Sequence, residues 1–400
     1  MPDLRARAPT PVPRGCGPVG CAGEGRKRAR VCFLYIAQSH QVMHSISVAV
    51  SLARRRPDVD VHVAATNEDS LAYARSIAGG LEPAPLTWTL LGPKWLRGLQ
   101  GAHKAPPKLP MLAANLSFLR SFDIVVTPER TTVALRPLGF RRTAFVYTQH
   151  GAGDRAGPFD RRLSAFDLVF AAGSKQRDRM IAENLVDPAA CAVVGYPKFD
   201  VVDGMRTCPR PAFARDRPTV LYNPHFVDRL SSWPRWGAQV LSQFADQTDY
   251  NLVFAPHMRL FEGRSARDVP ALAPYIGHPA IHMDLGTRAA TDMTYTTLAD
   301  IYLGDVSSQV YEFIRRPRPC LFLNAHDARW HGEESYRHWR FGPVADRVDR
   351  LLERITGARK SHPAFAGEQI ESFNYTFDVD ETSSSDRAAD AVAALLARRA

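Results

Sequence analysis

The 400-residue sequence lacks most of the signatures that would name a chemistry outright. Its six cysteines, Cys16, Cys21, Cys32, Cys191, Cys208 and Cys320, form no C-x-x-C pair. That gives neither a zinc site of the paired-cysteine kind nor a disulfide pattern. Cys32, Cys191 and Cys320 fall in apolar, strand-like runs and read as buried thiols. No run is long and apolar enough to span a bilayer. The apolar core of a secretory signal is missing near the N-terminus, so the expected compartment is the cytoplasm. No G-x-x-x-x-G-K-[ST] phosphate loop occurs, and Gly151, Gly153 and Gly157 do not fit G-x-G-x-x-G. A serine-hydrolase elbow is absent too. Asp58-Val59-Asp60 and Asp378-Val379-Asp380 match a short Asp-x-Asp that holds metal in another transferase fold. One precedes a strand and the other lies by a polar stretch, so both read as chance. Neither a metal nor a cofactor is expected.

What is present is positive charge. The net charge is +10, and half of the excess lies in residues 1–30, which hold seven basic side chains against Asp3 and Glu24. Rich in Pro, Gly and Arg, residues 1–28 read as a disordered tail. Such a tail can touch anionic lipid or nucleic acid. A solvated leader or a misplaced start codon is the preferred reading. The basic run has no interleaved aromatics and no recognised module, which argues against nucleic acid as a partner.

Length allows two domains with separate cores. Strand signals fall at residues 31–37, 59–65, 87–91, 124–127, 143–148, 168–171 and 192–194, with helical spacing at 43–54, 70–77 and 175–184. Residues 93–112 read as a surface excursion, in which Trp95, Arg97 and Lys104 mark a candidate membrane-facing patch or, preferably, an ordinary loop. Residues 200–217 read as a linker. A second series follows, with strands at 220–222, 252–254, 280–284, 301–303 and 320–323. Its helices are expected at 236–247, 296–299, 310–315 and 344–355, with an amphipathic helix at 385–397. The alternation predicts two parallel, doubly wound sheets. The expected division is a tail at 1–28, an acceptor-side domain at 29–202, a nucleotide-donor domain at 215–380 and a C-terminal helix at 385–400.

The most informative stretch runs from Ala299 to Phe313: a strand end, the polar turn Gly304-Asp305-Val306-Ser307-Ser308, and a helix start. Backbone N–H groups at a helix start are unpaired, and the dipole there favours an anion. Asp305, Ser307 and Ser308 are therefore candidate phosphate ligands. Glu312, one helical turn on, could reach a ribose hydroxyl. A serine N-cap on an ordinary crossover helix is an equal reading. Gln149-His150-Gly151 ends a strand of the first domain, where open α/β sheets place their sites. His150 suits proton transfer near neutral pH. Gly195-Tyr196-Pro197-Lys198-Phe199-Asp200 would aim Lys198 at the cleft, or serve only as a turn. Asn223-Pro224-His225 and Ala255-Pro256-His257-Met258-Arg259 each put a Pro-His pair past a strand. His257 and Arg259 fit a phosphate or a leaving phosphate. His40 and His44, after the first strand, are further cleft candidates, although a helix-start histidine needs no function.

Taken in order, Gln149-His150-Gly151, Gly195 through Asp200, Leu221-Tyr222-Asn223-Pro224, Pro256-His257 and Asp300 through Glu312 resemble the CDP-glycerol glycerophosphotransferase family of teichoic-acid primases and polymerases. Gly304-Asp305-Val306-Ser307-Ser308 looks like that family's Thr-Asp-Tyr-Ser-Ser. The resemblance spans about residues 120–325. It implies the two-domain GT-B fold and transfer of glycerol phosphate from CDP-glycerol to an acceptor hydroxyl, with release of CMP. By that resemblance His150 is the base, His257 contacts the donor phosphates, the serines bind phosphate and Glu312 binds ribose. The chain departs from the pattern at Ala152-Gly153-Asp154, where the family has a Lys, and at Ala255 and Val306, where it has Lys and Tyr. These departures leave open another CDP- or UDP-activated donor. A glycosyltransferase or nucleotide-sugar epimerase of the same fold, and a non-catalytic nucleotide-binding or scaffold protein, are the alternatives. The implied partners are a nucleotide-diphosphate donor and a lipid-linked or polysaccharide acceptor, with peripheral contact at the inner face of the membrane.

Overall fold

The computed structural model describes residues 28–99, 106–154, 159–205 and 211–399. Residues 1–27 of the basic tail, with Cys16 and Cys21, and Lys104, Gly157 and Cys208 lie outside the described residues. The first half builds one parallel sheet from β1 (Ala29–Tyr35), β2 (Val59–Ala65), β3 (Leu86–Leu90), β4 (Ile124–Thr127), β5 (Ala144–Tyr147), β6 (Leu168–Ala171) and β7 (Cys191–Val193). Its order is β3-β2-β1-β4-β5-β6-β7. The second half builds another from β8 (Thr219–Asn223), β9 (Asn251–Phe254), β10 (Ile281–Met283), β11 (Ile301–Gly304), β12 (Cys320–Leu323) and β13 (Val344–Ala345). Its order is β10-β9-β8-β11-β12-β13, again all parallel.

These strands are short continuous apolar runs because helices cover both faces of each sheet. Residues 301–304 of β11 and 320–323 of β12 are buried throughout. In both sheets the strand order reverses between two central neighbours, β1 and β4 in the first, β8 and β11 in the second. The loops leaving such a pair diverge to opposite faces and open a crevice at the strands' C-terminal ends. The turns carrying His40, His225 and Ser307 all leave one of these four strands, which is why the fold gathers them.

The helices between strands are α1 (Ile46–Arg55), α2 (Glu68–Gly80), α3 (Lys94–Gly98), α4 (Lys108–Ala114), α5 (Leu116–Arg120), α6 (Ser174–Ala182) and α7 (Pro197–Gly204). The second half adds α8 (Trp233–Ala245), α9 (Thr294–Leu298), α10 (Gln309–Phe313), α11 (Leu351–Ser361), α12 (Ala366–Thr376) and α13 (Ser384–Arg399). The C-terminal helix does not stand apart. Its Ala388, Ala389, Val392 and Leu395 share one core with Val31, Phe33 and Leu52 of the first half. Small alanines let α13 lie close on α1, and Ser385 Oγ meets Ser47 Oγ at 2.7 Å. The chain returning from the second half passes so close to Gly173 that a Cβ there would lie 2.5 Å from the Thr376 carbonyl oxygen.

Three expectations are corrected. The stretch read as a linker from residue 200 is helical up to Gly204, because Pro197 opens α7 with a favourable fixed φ and Val201 joins the first core. Residues 344–355 are not one helix. Val344 and Ala345 pair with β12, and Arg350, in the left-handed region at φ 54°, separates that edge strand from α11. Residues 93–112 hold α3 and the start of α4, with Leu96, Met111 and Leu112 buried, while Trp95 stays 70% exposed. Among the described residues, no helix is long and apolar enough to cross a membrane.

Candidate active site

The C-terminal ends of both sheets face a cavity of about 370 Å³. The first domain contributes His40, His44, Gln149, His150, Gly151 and Lys198, and the second contributes His225, His257, Arg259, Ser307, Ser308 and Glu312. Every site residue expected from the sequence therefore lines one cavity, with Asp305 the exception. Asp305 is buried, and its carboxylate accepts the backbone N–H groups of His225 at 2.8 Å, Ser232 at 2.5 Å and Val306 at 3.0 Å. Burial raises its pKa to about 6 against those hydrogen bonds. Its oxygens are spent on holding the turns that carry His225 and Ser307, so it shapes the site from behind.

The second-domain wall presents donors. β8 and β9 are neighbours in register, so their two Pro-His turns lie side by side, and the His225 and His257 rings are 5.6 Å apart. Each ring folds back in the same way. His225 Nδ1 accepts from Val227 N at 3.0 Å, and His257 Nδ1 from Arg259 N at 3.2 Å. An imidazole that accepts at Nδ1 carries its proton on Nε2, which makes that nitrogen a donor. The Arg259 guanidinium sits 4.6 Å from the Phe226 ring centroid. Ser308 is the N-cap of α10 but makes no side-chain capping bond, while Ser307 Oγ accepts from Gln309 N at 3.3 Å. The capping role is therefore not what occupies the Ser308 hydroxyl.

The first-domain wall presents acceptors. His40, His44 and His150 each have a buried Nδ1 with no hydrogen-bond partner. Burial first, then neighbouring positive groups, lowers His40 to about 3. Burial and Lys198 hold His44 well below the ordinary range. His150 is lowered by burial, with Glu129 pulling the other way. All three are thus uncharged at neutral pH and able to take a proton or accept a hydroxyl. Glu129, at the end of β4, is itself fixed by Gln41 Nε2 at 2.9 Å and Lys108 Nζ at 2.8 Å.

Buried polar contacts join the walls. Lys198 Nζ lies 2.6 Å from Glu312 Oε1, and the Tyr196 hydroxyl donates to the same oxygen at 3.0 Å. The carboxylate expected to meet a ribose is thus already held across the cleft through one oxygen. Asp154 accepts from Lys175 Nζ at 2.8 Å and from the Tyr311 hydroxyl at 2.7 and 2.8 Å, and His338 Nδ1 meets it at 2.9 Å. Gly153 packs directly on Ser308, where an added Cβ would sit 2.9 Å from the serine Cβ. Sequence reasoning missed Arg130, Asp154, Lys175, Tyr311 and His338. Asp154 had a signal, lying four residues past His150 where the resembled family carries Lys. His338 had none, since its short 3₁₀ segment Glu334–Phe341 has no strand or helix pattern to place it. Among the described residues, no group of three His, Cys, Asp or Glu side chains is placed to hold a metal ion.

No protein-family model matches the sequence, and no curated protein matches it significantly. Solved structures do match the fold. A Listeria monocytogenes protein assigned as a UDP-N-acetylglucosamine 2-epimerase aligns with TM-score 0.63 at 13% identity, over 93% of this chain and 96% of that one. A histidine-to-asparagine variant of the wall teichoic acid polymerase TagF aligns with TM-score 0.61 at 15% identity, over 93% of this chain and 90% of that one. The S. aureus MnaA–UDP structure aligns with TM-score 0.58 at 12% identity, over 91% and 95%. With the two parallel sheets facing a cleft, these likenesses place the chain in the GT-B type of α/β fold.

Proposed function

We propose that the protein transfers a glycerol-phosphate or related group from a CDP-activated donor to an acceptor hydroxyl in the building of a cell-envelope polymer. The observation that carries this reading is the pairing of walls in one cavity: uncharged imidazoles on one side, and hydroxyl, imidazole and guanidinium donors on the other. The structures it resembles in fold include TagF soaked with CDPG and MnaA with UDP. In this reading the acceptor oxygen attacks the phosphorus of the transferred group. The bond from that phosphorus to CMP breaks, CMP leaves with the bonding pair, and the hydroxyl proton passes to His150. His257 and Arg259 face the departing phosphate, Ser307 and Ser308 bind the diphosphate, and Glu312 meets the ribose. His40, His44 and Lys198 complete the acceptor side. An acceptor carried on lipid would bring the protein to a membrane surface.

A second reading, a nucleotide-sugar epimerase or glycosyltransferase, draws on the epimerase-type fold likeness and on the acidic Glu312 in the cavity. Thermal-shift binding of CDP, CMP, UDP and UMP separates the two. Selective stabilisation by a cytidine nucleotide, lost in Ser308→Ala, is the expected result. Preference for uridine would move the assignment to the second reading, and no stabilisation by any of the four would overturn both.

A further inference from the structure

We propose that Asp154 is a positioning residue: it clamps the turn carrying His150 against the Ser307-Ser308 turn of the opposite domain, so that the two halves of the site meet in one fixed relation. The inference rests on the role given above to His150.

Asp154 ends the His150 turn and is 7% exposed. Its carboxylate is reached from three elements. Lys175 comes from α6 of its own domain, Tyr311 from α10 of the other, and His338 from the 3₁₀ segment beyond β12. His338 does not stop there. Its Nε2 lies 3.2 Å from the Asp305 carbonyl oxygen, to which Trp339 Nε1 also donates at 3.0 Å. Asp305 opens the Ser307-Ser308 turn, so a continuous run of polar contacts joins one turn to the other through Asp154 and His338. Gly153 adds direct packing on Ser308 along the same seam.

The turn is also held from behind. Lys175 Nζ donates to the Ala152 carbonyl, Gln176 Nε2 to that of Gly151 and Arg179 Nη1 to that of Asp154, each at 2.8 Å. Helix α6 thus fixes the backbone within the first domain, and the Asp154 side chain makes the connection across the cleft. Burial opposes the carboxylate charge, but His338 and Lys175 outweigh it and keep the group ionised. An interdomain polar contact serving stability alone could lie anywhere along the interface. This one joins the two turns from which the proposed chemistry hangs.

Tyr311→Phe cuts only the cross-cleft hydroxyl and keeps the buried ring, so it tests the clamp with the fold intact. The first readout is the rate at which diethyl pyrocarbonate modifies His150 in the full chain, followed by mass spectrometry and referred to His282. In Tyr311→Phe, His150 should react several-fold faster with His282 unchanged. Because His338 still reaches Asp154 in that variant, equal His150 rates in Tyr311→Phe, Asp154→Asn and wild type together would overturn the clamp. The second readout is CMP release from CDP-glycerol. Its kcat should fall about tenfold with KM for the donor unchanged, the scale of one hydrogen bond to a buried charge. Added to His150→Ala, the same exchange should cost nothing more, whereas independent, additive losses would count against positioning. Asp154→Asn, which keeps the shape and removes the charge, should move both readouts in the same direction. Intact CMP release by His150→Ala would overturn the assigned base, and with it the positioning of a base. That failure is told apart from failure of the clamp, because the modification rates do not depend on catalysis.

Discussion

The two walls of the cavity are built alike and present different hydrogen-bonding character. Both come from turns at the carboxyl ends of parallel strands, and both are rich in histidine. On the first-domain wall, His40, His44 and His150 are uncharged, each with an unpartnered Nδ1. On the second-domain wall, the backbone two residues on takes up Nδ1 of His225 and His257, which leaves Nε2 as a donor. Sequence alone places all five histidines at strand ends but does not show which ring nitrogen of each is taken up. What separates them is local: around the β1 and β5 ends the first set keeps Nδ1 without a partner, whereas the second set is folded onto its own turn after proline. A site for group transfer needs both characters, one to accept a proton and one to hold a leaving anion.

The contrast can be broken most strongly at His150. His150→Ala should lower turnover by roughly 10²- to 10⁴-fold, the usual contribution of a positioned base. Steady-state kinetics on CDP-glycerol would show it, and a loss under twofold would remove His150 from the acceptor wall. Next in size is the bridge between the walls. Lys198→Met leaves Glu312 buried with Tyr196 as its remaining partner, and stability should fall by about 3 kcal/mol. Pairing it with Glu312→Gln should restore much of that loss, as urea unfolding of the three variants would report. Gly153→Ala should come third. Its new Cβ cannot sit 2.9 Å from Ser308 without pushing the turns apart, at a cost on the order of 2 kcal/mol. That loss should show as weaker nucleotide binding in calorimetry.

The smallest effect sharpens the electrostatic side of the comparison. His40 has a folded pKa of about 3, below its unfolded value near 6.5. The fold therefore excludes a proton that the unfolded chain binds. Stability from this group is fully present above about pH 6.5 and is lost as pH falls from there towards 3. Between pH 7.5 and 5.5 the loss is about 1 kcal/mol for His40. A His40→Gln variant should lose that much less than wild type across the same interval, and an identical pH dependence would contradict the burial argument.

Much of this was legible in the residues. Strands at 124–127, 168–171 and 320–323 fall where the apolar runs put them, because a parallel strand covered on both faces writes itself as an uninterrupted run. The strand-end histidines could be picked out for the same reason: the strand fixes where the turn begins. Helix and linker boundaries were harder. Pro197 read as part of a turn and Gly204 as part of the linker, yet they are the first and last residues of α7. Asp305 looked like a ligand because its turn is polar, and only the three-dimensional path of residues 225–232 reveals backbone N–H groups waiting for it. Contacts across the cleft, such as Asp154 with His338, join residues 184 positions apart and leave no periodic trace.

The central claim is that the walls divide the labour between donor binding and proton acceptance. Isothermal titration of CDP into wild type, His150→Ala and Ser308→Ala tests it directly. The account predicts wild-type affinity for His150→Ala and at least tenfold weaker binding for Ser308→Ala, about 1.4 kcal/mol. Equal affinity in all three, or a loss confined to His150→Ala, would contradict it.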